Sequence, residues 1–156
     1  MTVRKFRPPN RLASLIKDKG GMMAKDAIAA AEAGVETLRE SSMVALDENL
    51  AEIERRFGKA APDRAAEPFE ALYHLASKVI DVSLFVADAG IDKAAMSLCG
   101  LADSCAETGA WRWDAVDVHL NALKLLRAVG AELPVAQRDA MLQGLYQVSH
   151  YRPDEA

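Results

Sequence analysis

The chain has 156 residues, of which 51% are hydrophobic and 27% are charged, and this composition is typical of one compact domain with short tails. No apolar run approaches the roughly 18 to 20 residues of a membrane-spanning helix, and the basic N-terminus is not followed by the apolar stretch of a secretory signal. We therefore expect a cytoplasmic protein. Its two cysteines, Cys99 and Cys105, lack the ligand spacing of a zinc site and predict packed thiols, with no metal and no other cofactor.

The net charge of −4 conceals an uneven distribution. Residues 1–19 hold six basic residues and one acid, Asp18, whereas the rest of the chain is acidic. An acidic body argues against a nucleic-acid-binding core, although the basic arm could touch phosphates or an acidic partner. We assign residues 1–20 to a flexible basic arm, residues 21–150 to a single helical-bundle domain and residues 151–156 to a frayed tail.

Composition also predicts the fold class. Alanine is the commonest residue and strand-forming residues are sparse, which favours an all-α protein. Apolar residues recur at helical spacing in five stretches, bounded by glycines and prolines. We place these helices at residues 25–57, 67–88, 91–107, 114–129 and 134–149, with Asp114 as the cap of the fourth. The short connections between the last four predict an antiparallel four-helix bundle beside a long N-terminal helix.

An apolar stripe runs along the whole of the first predicted helix. It consists of Ile28, Ala31, Val35, Leu38, Leu46, Leu50, Ile53 and Phe57. At 1.5 Å per residue this helix is about 50 Å long, which exceeds the length of a small bundle. Part of the stripe is therefore expected to pack on a second copy, giving a homodimer, or on a partner protein. Gly34 and the Ser41-Ser42 pair interrupt the stripe and are candidate positions for a kink.

The second predicted helix has one apolar and one polar face. The inward stripe is Leu72, Ala76, Val79, Ser83 and Val86. The polar face follows at steps of four and three, through Glu70, His74, Ser77, Asp81, Leu84 and Asp88. Most polar helix faces are simply solvated, so this pattern alone does not predict a site.

Motifs that carry chemistry by themselves are absent from the sequence. It contains no glycine-rich phosphate loop, no Gly-x-Ser-x-Gly elbow and no pair of histidines four residues apart. His74, His119 and His150 each stand alone, so each is open to a surface, core or phosphoacceptor role. Trp111 and Trp113 either cap the end of a bundle core or form a partner-binding patch.

Three short stretches between Phe69 and Val129 carry a family resemblance. They are Leu72-Tyr73-His74-Leu75-Ala76, Met96-Ser97-Leu98-Cys99 and Ala115-Val116-Asp117-Val118-His119-Leu120-Asn121-Ala122-Leu123. In their order and spacing the chain resembles the alphaproteobacterial histidine-phosphotransfer (HPt-like) helical-bundle proteins, and among proteins of this kind the chemotaxis accessory proteins of the CheE type.

The chain departs from active members of that family at the phosphoacceptor position. In those proteins the phosphoacceptor histidine is followed three residues later by lysine and then by glycine. Counting back without a gap from Ser97-Leu98-Cys99 places Ser77 at the histidine position, Ile80 at the lysine position and Asp81 at the glycine position. A serine phosphate is a stable ester that cannot replace labile phosphohistidine in a reversible relay. With Ile80 at the lysine position, the cation that would help to neutralise the phosphoryl group is missing. Asp81 adds a negative charge beside the incoming phosphoryl group, which is itself negative.

The resemblance therefore implies the docking architecture without phosphotransfer. We expect a non-catalytic signalling adaptor, not an enzyme, that binds a response-regulator receiver domain or a histidine kinase in a two-component or chemotaxis pathway. The partner-binding residues would lie on the second helix, with Ser77 exposed; they are Glu70, His74, Ser77, Lys78, Asp81 and Leu84. Neither a nucleic acid nor a membrane is an expected partner.

Two alternatives stay open. The first is an active phosphotransfer protein that uses His74, one helical turn before the expected site, with Lys78 as its charge partner. The second is a structural or oligomeric helical protein that assembles through the long first helix.

Overall fold

The computed structural model describes residues 23–83 and 89–151. Within these residues the chain forms α-helices and one short 3₁₀ turn, Arg64–Ala66, with no β-strand, which confirms the predicted all-α class. The five helices of the described residues are α1 (Ala24–Phe57), α2 (Phe69–Ser83), α3 (Ile91–Thr108), α4 (Trp113–Val129) and α5 (Val135–His150). The predicted basic arm, the predicted end of the second helix with Leu84, and residues 152–156 lie outside the described residues.

Some helix boundaries differ from the prediction. Helix α4 begins at Trp113, so Asp114 is not its cap but lies in the first turn, where a negative charge favours the positive end of the helix dipole. Arg112 precedes the helix and makes no side-chain capping hydrogen bond. Pro134 immediately precedes α5 instead of opening it. The stretch 58–66, between the first and second predicted helices, contains the 3₁₀ turn.

The chain divides into two compact units between Glu36 and Thr37. In the N-terminal unit, every described side chain is exposed. These exposed side chains include Ile28 and Val35 of the predicted apolar stripe, which are 59% and 57% exposed. Within the described part of the N-terminal unit, these two apolar side chains of the stripe are therefore largely open to solvent.

The hydrophobic core belongs to the C-terminal unit and is built from the predicted inward faces. Helix α3 is central, because it packs on α2, α4 and α5. The small alanine side chains of α3 allow the neighbouring helices to approach it closely. The largest fully buried apolar side chains are Leu46, Ile53, Phe57, Leu72, Val79, Ile91, Leu98, Leu101, Val116, Leu123 and Leu126.

Two glycines with positive φ bound the central helix. Gly90 precedes α3 with φ 76°, and Gly109 ends it with φ 66°. The Gly109 N–H donates to the Ala106 carbonyl, 3.4 Å away, as in a left-handed helix C-cap. These two positions fix the start and the end of the helix that packs on three neighbours.

Ion pairs and stacked rings connect elements at the rim of this core. Asp47 of α1 accepts two hydrogen bonds from Arg127 of α4, at 2.7 and 2.9 Å. The ring of Trp111 lies 4.6 Å from that of Phe69 and 4.7 Å from that of Trp113. The tryptophans therefore cap the end of the core, as one of the two sequence interpretations proposed.

Candidate functional site

Helix α2 presents its polar residues to solvent. Glu70, His74, Lys78 and Asp81 are all exposed, while the other side of the helix is packed into the core. We call these four residues, with Ser77 at their edge, the α2 face. The predicted anchor of this surface, Leu84, lies outside the described residues, so it is not part of the definition.

Ser77 is half-buried and not exposed as predicted. It shares one side of α2 with Tyr73 and Ile80, which lie four residues before it and three residues after it. This side turns toward α3, where the Cys99 Sγ lies 3.7 Å from the Tyr73 carbonyl oxygen. The residue that occupies the phosphoacceptor position of the family pattern is therefore less accessible than its neighbours His74 and Lys78.

A small groove of about 120 Å³ lies beside His74, between α2 and α3. Helix α2 contributes Phe69, Glu70, Tyr73 and His74, and α3 contributes Ala102, Asp103 and Ala106. The groove thus brings two carboxylates, those of Glu70 and Asp103, to the same concavity as the imidazole of His74. Asp103 was not among the residues predicted for this surface, because nothing in the spacing of α3 shows which of its polar residues faces α2.

His119 is a core residue. Its side chain is 0% exposed, and its Nδ1 lies 2.8 Å from the Ala115 carbonyl oxygen, to which it donates. Its Nε2 lies 2.9 Å from the Ser97 hydroxyl and accepts a hydrogen bond from it. Burial lowers the pKa of His119, so the ring is held neutral. Both ring nitrogens are occupied inside the core, which leaves no path for a phosphoryl donor.

His150 has a different environment at the end of α5. Its ring stacks on that of Tyr146 with centroids 3.9 Å apart, and its Nδ1 lies 2.8 Å from the Tyr146 carbonyl oxygen. His74 is therefore the histidine that combines an exposed position with a polar helix face. The phosphoacceptor alternative can be tested at this residue.

The cysteines are packed thiols, as predicted. Both are buried on α3, and burial raises the pKa of Cys99 to about 11 and shifts the pKa of Cys105 upward. Among the residues of the two described ranges, no three His, Cys, Asp or Glu side chains come together in a way that could hold a metal ion. Within the same ranges no helix has both the length and the apolar composition needed to cross a membrane.

Arg112 is a residue whose role the sequence did not indicate. Its guanidinium donates to the carbonyl oxygens of Val148 and Ser149, at 2.6 and 3.2 Å. These carbonyls belong to the last turn of α5, where helix geometry leaves C=O groups without an intrahelical partner. Arg112 therefore ties the start of α4 to the end of α5.

No protein-family model, curated protein or solved structure matches this chain. The three sequence stretches carry the HPt-like resemblance, and the α2 face is the surface of the described residues on which the predicted partner-binding side chains come together.

Proposed function

We propose that the chain is a non-catalytic HPt-like signalling adaptor whose α2 face binds a receiver domain or a histidine kinase of a two-component or chemotaxis pathway. In this proposal α2 to α5 form the antiparallel four-helix bundle of such proteins, with α1 beside them, and the adaptor acts in the cytoplasm. The observation that carries the proposal is the exposed polar face of α2 with His74 at its centre, beside the carboxylates of Glu70 and Asp103.

The packing of α2 supports a docking role. The helix is held on one side by buried residues, among them Leu72, Ala76 and Val79, while the four charged or imidazole side chains of the α2 face are exposed. A surface carried by a well-packed helix has a fixed backbone and a fixed spacing of its residues, so binding does not have to order the backbone. Residues three and four apart on this helix lie next to one another, so a partner helix can contact several of them at once.

The charges around His74 favour binding without phosphotransfer. A phosphoryl group carries close to two negative charges at neutral pH and would face the two carboxylates of the groove. Lys78, four residues after His74 and exposed, supplies one cation against these two carboxylates. The electrostatics thus oppose the alternative in which His74 is the phosphoacceptor.

The test is a binding measurement with charge-reversed surfaces. Purified receiver domains and histidine kinases from the same genome are titrated with wild-type protein and with the variants Lys78→Glu and Asp81→Arg on the α2 face. The matched control is Asp139→Arg, an exposed acid on α5. We expect at least one partner to bind, with about tenfold or greater weakening in the α2 variants and no change in the control. Failure of every partner to bind, or equal binding by all variants, would contradict the proposal.

A specific observation supports the second candidate function, a structural or oligomeric role. The exposed apolar residues Ile28 and Val35 lie on one side of α1 in the N-terminal unit. Large exposed apolar side chains at helical spacing are typical of an association surface. An adaptor that binds through α2 and also self-associates through this part of α1 satisfies both observations.

A further inference from the structure

A cavity of about 330 Å³ lies between α3 and α5, away from the residues of the α2 face. Its apolar walls are Met96 and Gly100 of α3 and Leu142 and Tyr146 of α5. Met96 and Tyr146 are 60% and 58% exposed, so two large side chains of the cavity face solvent. We call this space the α3–α5 cavity; its volume is at the lower end of ligand pockets, which hold about 300 to 1,000 Å³.

Gly100 is an exposed glycine in the lining of the cavity. Apart from its own helix backbone and its chain neighbours, nothing lies within 4 Å of the position that a Cβ at residue 100 would occupy. The lining residues of α3, from Lys93 to Gly100, are spaced so that they share one helix face, and they span about 10 Å at 1.5 Å per residue. The cavity is therefore elongated, and a larger side chain at position 100 would fill one end of it.

Two contacts give the direction of the helices that form the walls. The position of a Gly90 Cβ lies 3.0 Å from Leu142, and the Ser97 hydroxyl lies 3.2 Å from the Ser149 hydroxyl. From the first contact to the second, the residue number rises by seven in α3 and its N-terminal cap and by seven in α5, so the two helices run in the same direction. Lys93 is thus at one end of the cavity and His150 is at the other.

The polar groups of the lining are cationic or neutral. Within the described residues, the Lys93 ammonium has neither an ion-pair partner nor a hydrogen bond, and none of the described residues that line the cavity is acidic. The Ser97 hydroxyl donates to His119, and Nδ1 of His150 donates to the Tyr146 carbonyl, which can only accept. In a chain with a net charge of −4, this is a local environment suited to an anionic group.

We propose that the α3–α5 cavity binds a small amphipathic carboxylate, such as a medium-chain fatty acid. The carboxylate pairs with the Lys93 ammonium, at the end of the cavity where Leu142 lies, and the hydrocarbon tail lies along Met96 and Tyr146 toward Gly100. A charge at one end and apolar walls along the rest match the two parts of such a molecule. This inference is independent of the α2 face and of the adaptor proposal.

The experiment is a calorimetric titration of the full chain with sodium octanoate, and with 1-octanol as the uncharged counterpart. Lys93→Met removes the cation, and Gly100→Leu fills the cavity. Gly144→Leu is the matched control, because Gly144 is also a helical glycine with open space around its Cβ position but does not line the cavity. Leucine is more favourable than glycine in a helix interior, so both glycine variants are expected to fold, which circular dichroism checks.

We expect saturable one-to-one binding of octanoate to wild type and to Gly144→Leu, and at least tenfold weaker binding to Lys93→Met and Gly100→Leu. Octanol should bind wild type at least tenfold more weakly than octanoate does. Absence of saturable octanoate binding to wild type, or unchanged binding in Gly100→Leu, would overturn the site. Equal affinity for octanol and octanoate, or unchanged octanoate binding in Lys93→Met, would overturn the assignment of a carboxylate ligand.

Discussion

The hydroxyl of Ser97 lies 2.9 Å from Nε2 of His119, and this hydrogen bond joins α3 to α4 inside the core. The other ring nitrogen of His119 donates to the Ala115 carbonyl, one turn earlier on the same helix. A buried polar side chain costs little only when its hydrogen bonds are made, and both are made here. The pair is therefore part of the packing of the core, and it makes the stability of the fold sensitive to pH.

We expect the free energy of unfolding to fall as the pH is lowered, with His119 as one cause. Burial lowers its pKa in the folded chain, so below the ordinary value of about 6.5 the unfolded chain binds a proton that the folded chain does not. The contribution of His119 to the free energy of unfolding is fully present above about pH 6.5. Below that pH the contribution decreases, by at most about 1.4 kcal/mol per pH unit. Urea unfolding between pH 7.5 and 5.5 should give a shallower pH dependence for His119→Gln than for wild type, and equal slopes would refute this account.

The two cysteines should be unreactive in the folded chain. Burial raises the pKa of both thiols, so little thiolate is present at pH 8, and access to the sulfur atoms is blocked by packing. An aromatic disulfide reagent should therefore label neither Cys99 nor Cys105 within minutes under native conditions, and both after denaturation. Rapid native labelling of either thiol would show that α3 is less well packed than described.

Removing the Arg112 guanidinium should destabilise the fold. Its two hydrogen bonds satisfy carbonyls at the end of α5, and hydrogen bonds from a charged donor contribute about 1.5 to 3 kcal/mol. We expect Arg112→Met to lower the free energy of unfolding by an amount in this range. Arg138→Met is the comparison, because Arg138 makes one longer bond of 3.4 Å to the Gly130 carbonyl and should have a smaller effect. Equal effects of the two substitutions would contradict this role of Arg112.

Self-association through the first part of α1 remains a prediction of the sequence pattern. The double variant Ile28→Glu, Val35→Glu changes only exposed side chains, so it should leave stability within about 0.5 kcal/mol of wild type. We expect wild type to form dimers as its concentration rises and the double variant to remain monomeric in light scattering. If the wild-type protein stays monomeric at all concentrations, the prediction that α1 mediates self-association is wrong.

The sequence predicted the helices better than it predicted the site. Periodic apolar residues and terminal glycines placed α3 to within one residue at its C-terminal end, because both signals are local. The partial burial of Ser77 and the position of Asp103 beside His74 depend on how α2 packs against α3, which no spacing within either helix reveals. The burial of His119 was equally hidden, since a lone histidine fits a surface and a core position alike, and its partner Ser97 lies on another helix.

The most direct test of the adaptor proposal measures binding and phosphotransfer in the same mixture. Wild-type protein and His74→Gln are each incubated with a radiolabelled, autophosphorylated histidine kinase and its receiver domain, and both complex formation and acid-labile label on the chain are recorded. The account predicts a complex with wild type and no more label on wild type than on His74→Gln. Acid-labile label on wild type that is absent from His74→Gln would contradict the account and identify His74 as a phosphoacceptor.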